Sequence, residues 1–179
     1  MEVEKYTVIL PKIKKDFRLA VLSDLHLREG SFKNHLEPVL DIVKKMKPTY
    51  IILVGDYGAS HKAYNNFLNN EAQERFWRYL NELNKIAPIV MSLGNHDVSQ
   101  GMDKELRKEF FKFERKDIHP VDREKSYYDK NLNINFLGYM QPHDVYSICD
   151  MSKKKREAIL ADIKKYMPKA IKKMYAILD

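Results

Sequence analysis

Cysteine is nearly absent, with one residue, Cys149, in a chain of 179. A lone thiol excludes a disulfide framework and fits a reducing compartment. A secretory leader is not expected, because Met1-Glu2-Val3-Glu4-Lys5 places acids where a leader needs a basic region and an apolar run. No apolar stretch approaches the roughly 18–20 residues of a membrane span. A cytoplasmic protein with no membrane partner is therefore expected. Internal repeats and low-complexity segments are missing too. The 44% hydrophobic content is too rich for a disordered chain, and the length suits a single domain over residues 1–179 with a sizeable core.

An excess of positive charge is present, but it is local. The formal charge is +7, from 32 Lys and Arg against 25 Asp and Glu. Residues 151–179 hold nine basic and three acidic groups, a net +6, which leaves residues 1–150 at +1. The body is close to neutral, so nucleic-acid affinity of the whole domain is not supported. The run Lys153-Lys154-Lys155-Arg156 gives a weak pointer to a phosphate backbone or anionic surface, and a solvated helix start explains it as well.

Apolar runs alternate with helical patterns along the first half of the chain. Phe17-Arg18-Leu19-Ala20-Val21-Leu22 reads as a buried strand closed by Ser23-Asp24. Residues 32–46 carry Phe32, Leu36, Val39, Leu40, Val43 and Met46 at helical spacing, stopped by Pro48. Tyr50-Ile51-Ile52-Leu53-Val54 is a second buried strand, closed by Gly55-Asp56. A helix is expected over 71–86, ended by Pro88, then a strand over 89–93 closed by Gly94-Asn95-His96-Asp97. Residues 103–113 read as a helix, 125–129 and 132–138 as strands joined by a Lys130-Asn131 hairpin turn, and 153–166 as a further helix. The loop 57–70 is the longest irregular segment and is placed to border a site.

Strand, helix, strand, helix, strand with crossovers of about 30 residues argues a parallel α/β sheet. Right-handed crossovers lay such strands side by side, so their carboxyl ends share one edge, where open α/β sheets bind ligands. Each polar cluster named above closes an apolar strand. Asp24-x-His26 alone, or Gly55-Asp56 alone, is ordinary strand-to-loop punctuation. Together with Gly94-Asn95-His96-Asp97 they converge on one crevice as a mixed oxygen and nitrogen set suited to Mn, Fe, Zn or similar divalent ions. Asp56 has two oxygens and can bridge two ions, an arrangement that suits in-line displacement at phosphorus. Gly55 and Gly94 allow the sharp exits from the strands.

Asp24-Leu25-His26, Gly55-Asp56 and Gly94-Asn95-His96-Asp97 resemble the first three motifs of the calcineurin-like metallophosphoesterases. The similarity runs from about residue 17 to at least residue 138 and takes in the hairpin region Ser126-Tyr127-Tyr128 and Ile134-Asn135-Phe136-Leu137-Gly138. It implies an α/β/β/α sandwich and a dinuclear metal centre that hydrolyses phosphoric esters with a metal-bound hydroxide. By position, Asp24 and His26 bind the first metal, Asp56 bridges, and Asn95 binds the second and, with His96, contacts substrate. His96 protonates the leaving oxygen or stabilises the phosphoryl charge, and Asp97 orients His96.

Three further histidines of the family pattern have no counterpart here. The others present, His35, His61, His119 (before Pro120 in a strand-like stretch) and His143, do not match its spacing. The resemblance thus implies an incomplete second sheet and a chain truncated at its C-terminus. A degenerate relative, or a site completed by a second polypeptide, are the alternatives. Metal binding without efficient catalysis is the alternative function. A labile second metal, and association through an uncovered sheet face, follow as expectations.

Overall fold

The three apolar runs form parallel strands, and each crossover between them contains a helix. In a computed structural model of the chain, the residues described are 3–9, 13, 15–25, 36–57, 70–94, 97, 104–122 and 124–138. Strand β1 is Leu19–Leu22, helix α1 Glu37–Met46, β2 Tyr50–Leu53, α2 Asn70–Asn84, β3 Ile89–Met91 and α3 Lys104–Phe111. A fourth strand, β4, spans Ile118–Pro120, and the hairpin consists of β5, Tyr127–Asp129, and β6, Ile134–Phe136. The expected helix over 153–166 lies outside the described residues, as does the part of the first helical pattern before Leu36.

Strand order is β1-β2-β3-β4, all parallel, with Leu19 opposite Tyr50, Ile51 opposite Ile89, and Ile89 opposite Ile118. Crossovers of one hand that always step the same way put every connecting helix on one face of the sheet. The buried side chains divide accordingly, with the two-residue period of a strand. Ala20, Ile51, Leu53, Ile89, Met91 and Ile118 pack with Val43 of α1, with Phe76, Tyr79, Leu80 and Leu83 of α2, and with Leu106 and Phe110 of α3. On the opposite face Tyr50, Val90 and Val121 meet Tyr127, Leu132 and Phe136 of the hairpin. Helices, parallel sheet and antiparallel hairpin thus form an α/β sandwich with a small second sheet.

Local chemistry sets the element ends. Helix α1 stops where Lys47 turns left-handed at φ 48°, its N–H bonded to Lys44 O, with Pro48 barring any continuation. Arg18 Nη1 donates to Met46 O at 3.2 Å and so caps a terminal carbonyl. Helix α2 ends before the expected residue 86, and residues 85–86 form a turn ahead of Pro88.

The strand-like stretch at His119 and Pro120 is strand β4, although Ile118-His119-Pro120 carries only one aliphatic residue. Its pairing comes from β3, through Asp117 O to Ile89 N and Val121 N to Met91 O, both 2.8 Å. That register turns the donorless Pro120 nitrogen towards the outer edge, where no ladder bond is lost. The hairpin loop has four residues, 130–133, rather than two. Asp129 Oδ1 accepts from Asn131 N at 2.7 Å and Leu132 N at 3.1 Å, and Asn133 closes the loop at φ 56°.

Asp129 also ties the hairpin to the sheet. Its Oδ2 accepts the Tyr50 hydroxyl at 2.5 Å, and that hydroxyl lies 3.1 Å from the Tyr127 hydroxyl. His119 stacks on Tyr127 with ring centroids 3.6 Å apart and planes at 7°. Burial alone would raise the Asp129 carboxyl, but the bonds from Tyr50, Leu132 and Asn131 hold it below the usual carboxylate range. The hairpin covers the β2 to β4 part of this face. Leu19 and Val21 of β1 stay 38% and 60% exposed.

Tyr50→Phe removes the tie while leaving the Asp129 turn intact, so unfolding free energy from urea titration is expected to fall by about 1–2 kcal/mol. His119 is held below its ordinary value chiefly by burial. A base depressed in the folded state contributes stability above its unfolded pKa of about 6.5 that is lost as pH falls through the folded value. The stability difference between the parent and His119→Phe should therefore shift against the parent as pH drops from about 7 to about 5.

Candidate functional site

The parallel ladder continues to the carboxyl ends of the strands. Val54 N donates to Leu22 O at 3.0 Å, Ser92 N to Leu53 O at 2.9 Å and Val121 N to Met91 O at 2.8 Å. The residues that follow, Ser23-Asp24, Gly55-Asp56 and Gly94, leave the sheet from one edge, as the sequence pattern requires.

Two of the predicted ligands sit in unusual backbone. Asp24 and Asp56 have φ of 55° and 56°, and Gly55 before Asp56 has φ 98°. The left-handed region is uncommon for residues with a side chain, and Asp is among the few that tolerate it. Such conformations cost roughly 1–3 kcal/mol each and persist where their surroundings fix them. Ser23 Oγ donates to Asp24 Oδ2 at 2.5 Å.

Around Asp56 the fixing is tighter. A Cβ on Gly55 would lie 2.0 Å from Gly94 N, and one on Gly94 would lie 2.3 Å from Asp56 Oδ1 and 2.6 Å from Asp56 N. Neither position has room for a side chain, so the ends of β2 and β3 touch backbone to backbone.

Asp97 joins the same two ends. Its side chain is fully buried. Oδ2 accepts from Asp56 N at 2.8 Å and from Gly94 N at 2.9 Å, and Oδ1 accepts from Tyr57 N at 3.0 Å. Burial pushes this carboxyl up to about 6, against the three amides, which favour its ionised form. Tyr57 adds a second link, its hydroxyl set between Leu53 O at 3.1 Å and Ser92 O at 2.5 Å while its ring packs on Phe76. Burial, with Asp97 and Asp56 nearby, raises the Tyr57 phenol well above its ordinary value, so it stays a donor.

Of the six residues named from sequence, Asp24, Asp56 and Asp97 are described, and His26, Asn95 and His96 lie outside the described residues. The structure places Asp24 and Asp56 at the ends of adjacent strands and packs Asp97 against Asp56. Among the described residues no group of three or more His, Cys, Asp or Glu side chains is arranged to hold a metal ion. The oxygens of Asp24 and Asp56 are hard donors of the kind a divalent ion takes, whereas both oxygens of Asp97 are engaged by amides.

The sequence reading missed Tyr57 and the Gly55–Gly94 contact, which depend on tertiary approach. It also missed Asp122 at the end of β4, whose signal is the same strand-then-Asp pattern. Asp122 accepts from Arg107 Nε at 2.7 Å and from Glu124 N and Lys125 N at 2.8 and 2.7 Å, so it organises a turn.

The family model of the calcineurin-like phosphoesterases matches residues 17–166. A Campylobacter jejuni protein described as an uncharacterized metallophosphoesterase is 27% identical over 106 residues, covering 59% of this chain and 26% of that protein. The chain thus spans about a quarter of the length of the curated relative it matches.

Gly55→Ala and Gly94→Ala test the contact between the strand ends. Each is expected to lower unfolding free energy by about 3 kcal/mol or more, since the added methyl meets backbone. A cost below about 1 kcal/mol in urea titration would mean that the two ends sit farther apart.

Proposed function

The chain belongs to the calcineurin-like phosphoesterase family, and on that premise we propose that it carries the metal- and substrate-binding front of a metal-dependent phosphoric ester hydrolase. Members of the family hydrolyse phosphoesters with divalent metal ions. The observation that supports the reading most directly is the pair Asp24 and Asp56, set in left-handed backbone at the carboxyl ends of adjacent parallel strands. Strain of this kind gathers at functional sites, and a crevice at this edge is where α/β sheets bind ligands.

In the proposed arrangement Asp24, His26 and Asp56 would hold a first ion, and Asp56 with Asn95 a second. Mn, Fe or Zn suits these donors. Such a pair of ions, when bound, supplies a water-derived nucleophile at neutral pH and neutralises charge growing on the phosphoryl oxygens. The chain's own groups do the rest. Asn95 and His96 orient the phosphate ester, and His96 delivers a proton to the leaving oxygen or stabilises the phosphoryl group. Asp97 holds its loop in place. Attack by water leaves no covalent intermediate on the chain.

The expected partners follow from the same reading. The substrate is a phosphate ester, taken in a cytoplasmic setting. Among the described residues no helix is long and apolar enough to cross a membrane. The exposed Leu19 and Val21 support association through the bare part of the second sheet face. The basic stretch from Lys153 to Arg156 remains a weak pointer to nucleic acid.

Hydrolysis of an aryl phosphodiester and an aryl phosphomonoester with added Mn²⁺ tests the proposal. Activity is expected to vanish with a chelator and to fall by at least about 100-fold in Asp56→Asn. His96→Gln is expected to lower kcat by about 10²–10⁴-fold with Mn²⁺ affinity retained. Activity that survives Asp56→Asn would remove Asp56 from the site. Mn²⁺ binding without turnover would favour a metal- and phosphate-binding module.

A further inference from the structure

We infer that Asp97 is a positioning residue for Asp56, its carboxylate fixing the metal-ligand loop through three backbone amides drawn from two strand ends. The inference rests on the reading of Asp56 as a metal ligand and adds to the resemblance-based role of Asp97 beside His96.

The amides of Asp56 and Tyr57 are consecutive, and Gly55 and Asp56 both have positive φ. Successive N–H groups in such a turn point to one side and form a concave seat for an anion. In this chain the seat is filled by Asp97, Oδ2 against Asp56 N and Oδ1 against Tyr57 N. Oδ2 also takes Gly94 N, so the same carboxylate closes the segment from Gly94 to Asp97, and the two residues inside that segment are Asn95 and His96. One buried group therefore anchors the loop of the bridging ligand and both ends of the segment holding the second ligand and the proton donor. With the anion removed, the three amides lose the shared acceptor that holds the left-handed turn, and the Asp56 carboxylate moves with its backbone.

Asp97→Asn keeps the shape and replaces one acceptor oxygen with a donor that faces N–H groups. The control is Tyr50→Phe, which weakens the hairpin tie on the second sheet face. Mn²⁺ affinity by calorimetry and melting of the metal-free chain are measured on the parent, both variants and Asp56→Asn. Both Asp97→Asn and Tyr50→Phe are expected to melt earlier, but Asp97→Asn alone of the two should lose Mn²⁺ affinity, by about 10–100-fold, with Tyr50→Phe within about threefold of the parent. Equal losses in the two variants, or parent-like affinity in Asp97→Asn, would overturn the inference. The second of these would leave Asp97 acting on His96 alone.

If the parent and Asp56→Asn bind Mn²⁺ alike, the metal reading of Asp56 fails, and amide hydrogen exchange then decides the positioning role. The Asp56, Tyr57 and Gly94 amides should be protected in the parent and exchange at least about 100-fold faster in Asp97→Asn, with the Ile52 amide unchanged. Unchanged exchange at those three amides would sink it. Should Asp97→Asn fail to fold, Asp97→Glu keeps the charge, displaces it by one methylene and carries the same comparisons.

Discussion

The direction of the crossovers governs the rest of the fold. Four parallel strands in chain order, joined by right-handed connections that step one way, force every connecting helix onto a single face of the sheet. That face then holds the large core of Ile51, Leu53, Ile89, Met91 and their helical partners. The other face receives no helix from these connections and must be covered by something else. The β5–β6 hairpin does this over β2 to β4, with Tyr50 and Tyr127 at the junction. The same constraint aligns the carboxyl ends of the strands, so the candidate ligands share an edge because the core is built as it is.

Among the described residues four aspartates are buried, and three share one device. Asp97, Asp122 and Asp129 each accept two or more backbone amides, and each carries a further bond to a separate element: Gly94 N, Arg107 Nε or the Tyr50 hydroxyl. A buried carboxylate without such donors would be strongly destabilising, while bonds to a charged group contribute roughly 1.5–3 kcal/mol each. Each of these residues organises a turn and pins it to the body. Asp56 differs, because its backbone is the part that is anchored, through its own N–H to Asp97.

Much of this was legible in the residues. The runs at Leu19–Leu22 and Tyr50–Leu53 are apolar on both faces and closed by Asp, while Pro48 and Pro88 bracket the helices. Strand β4 was legible only as a strand-like stretch at His119 and Pro120, because a three-residue strand of Ile, His and Pro draws its pairing from β3 and not from its own pattern. The four-residue hairpin loop was missed because the Asp129 side chain, rather than Lys130 or Asn131, sets its length. At the site, Asp24 and Asp56 could be named from strand-then-Asp order, but the grip of Asp97 on residues some 40 positions earlier depends on two loops meeting where Gly55 and Gly94 leave no room for a side chain.

The strain at Asp24 and Asp56 connects the fold to the proposed chemistry. Two left-handed aspartates at roughly 1–3 kcal/mol each are a sizeable fraction of the 5–15 kcal/mol that separates a typical domain from its unfolded chain. On the proposed reading, a divalent cation taken by these carboxylates would favour the conformation in which both are presented. Because the unfolded chain would lack such a site, the binding free energy of an ion held there would also stabilise the native state, increasing with the logarithm of its concentration above the dissociation constant. An ion so held and the Asp97 carboxylate would act on the Asp56 loop from opposite sides: one through the side-chain oxygens, the other through the amides.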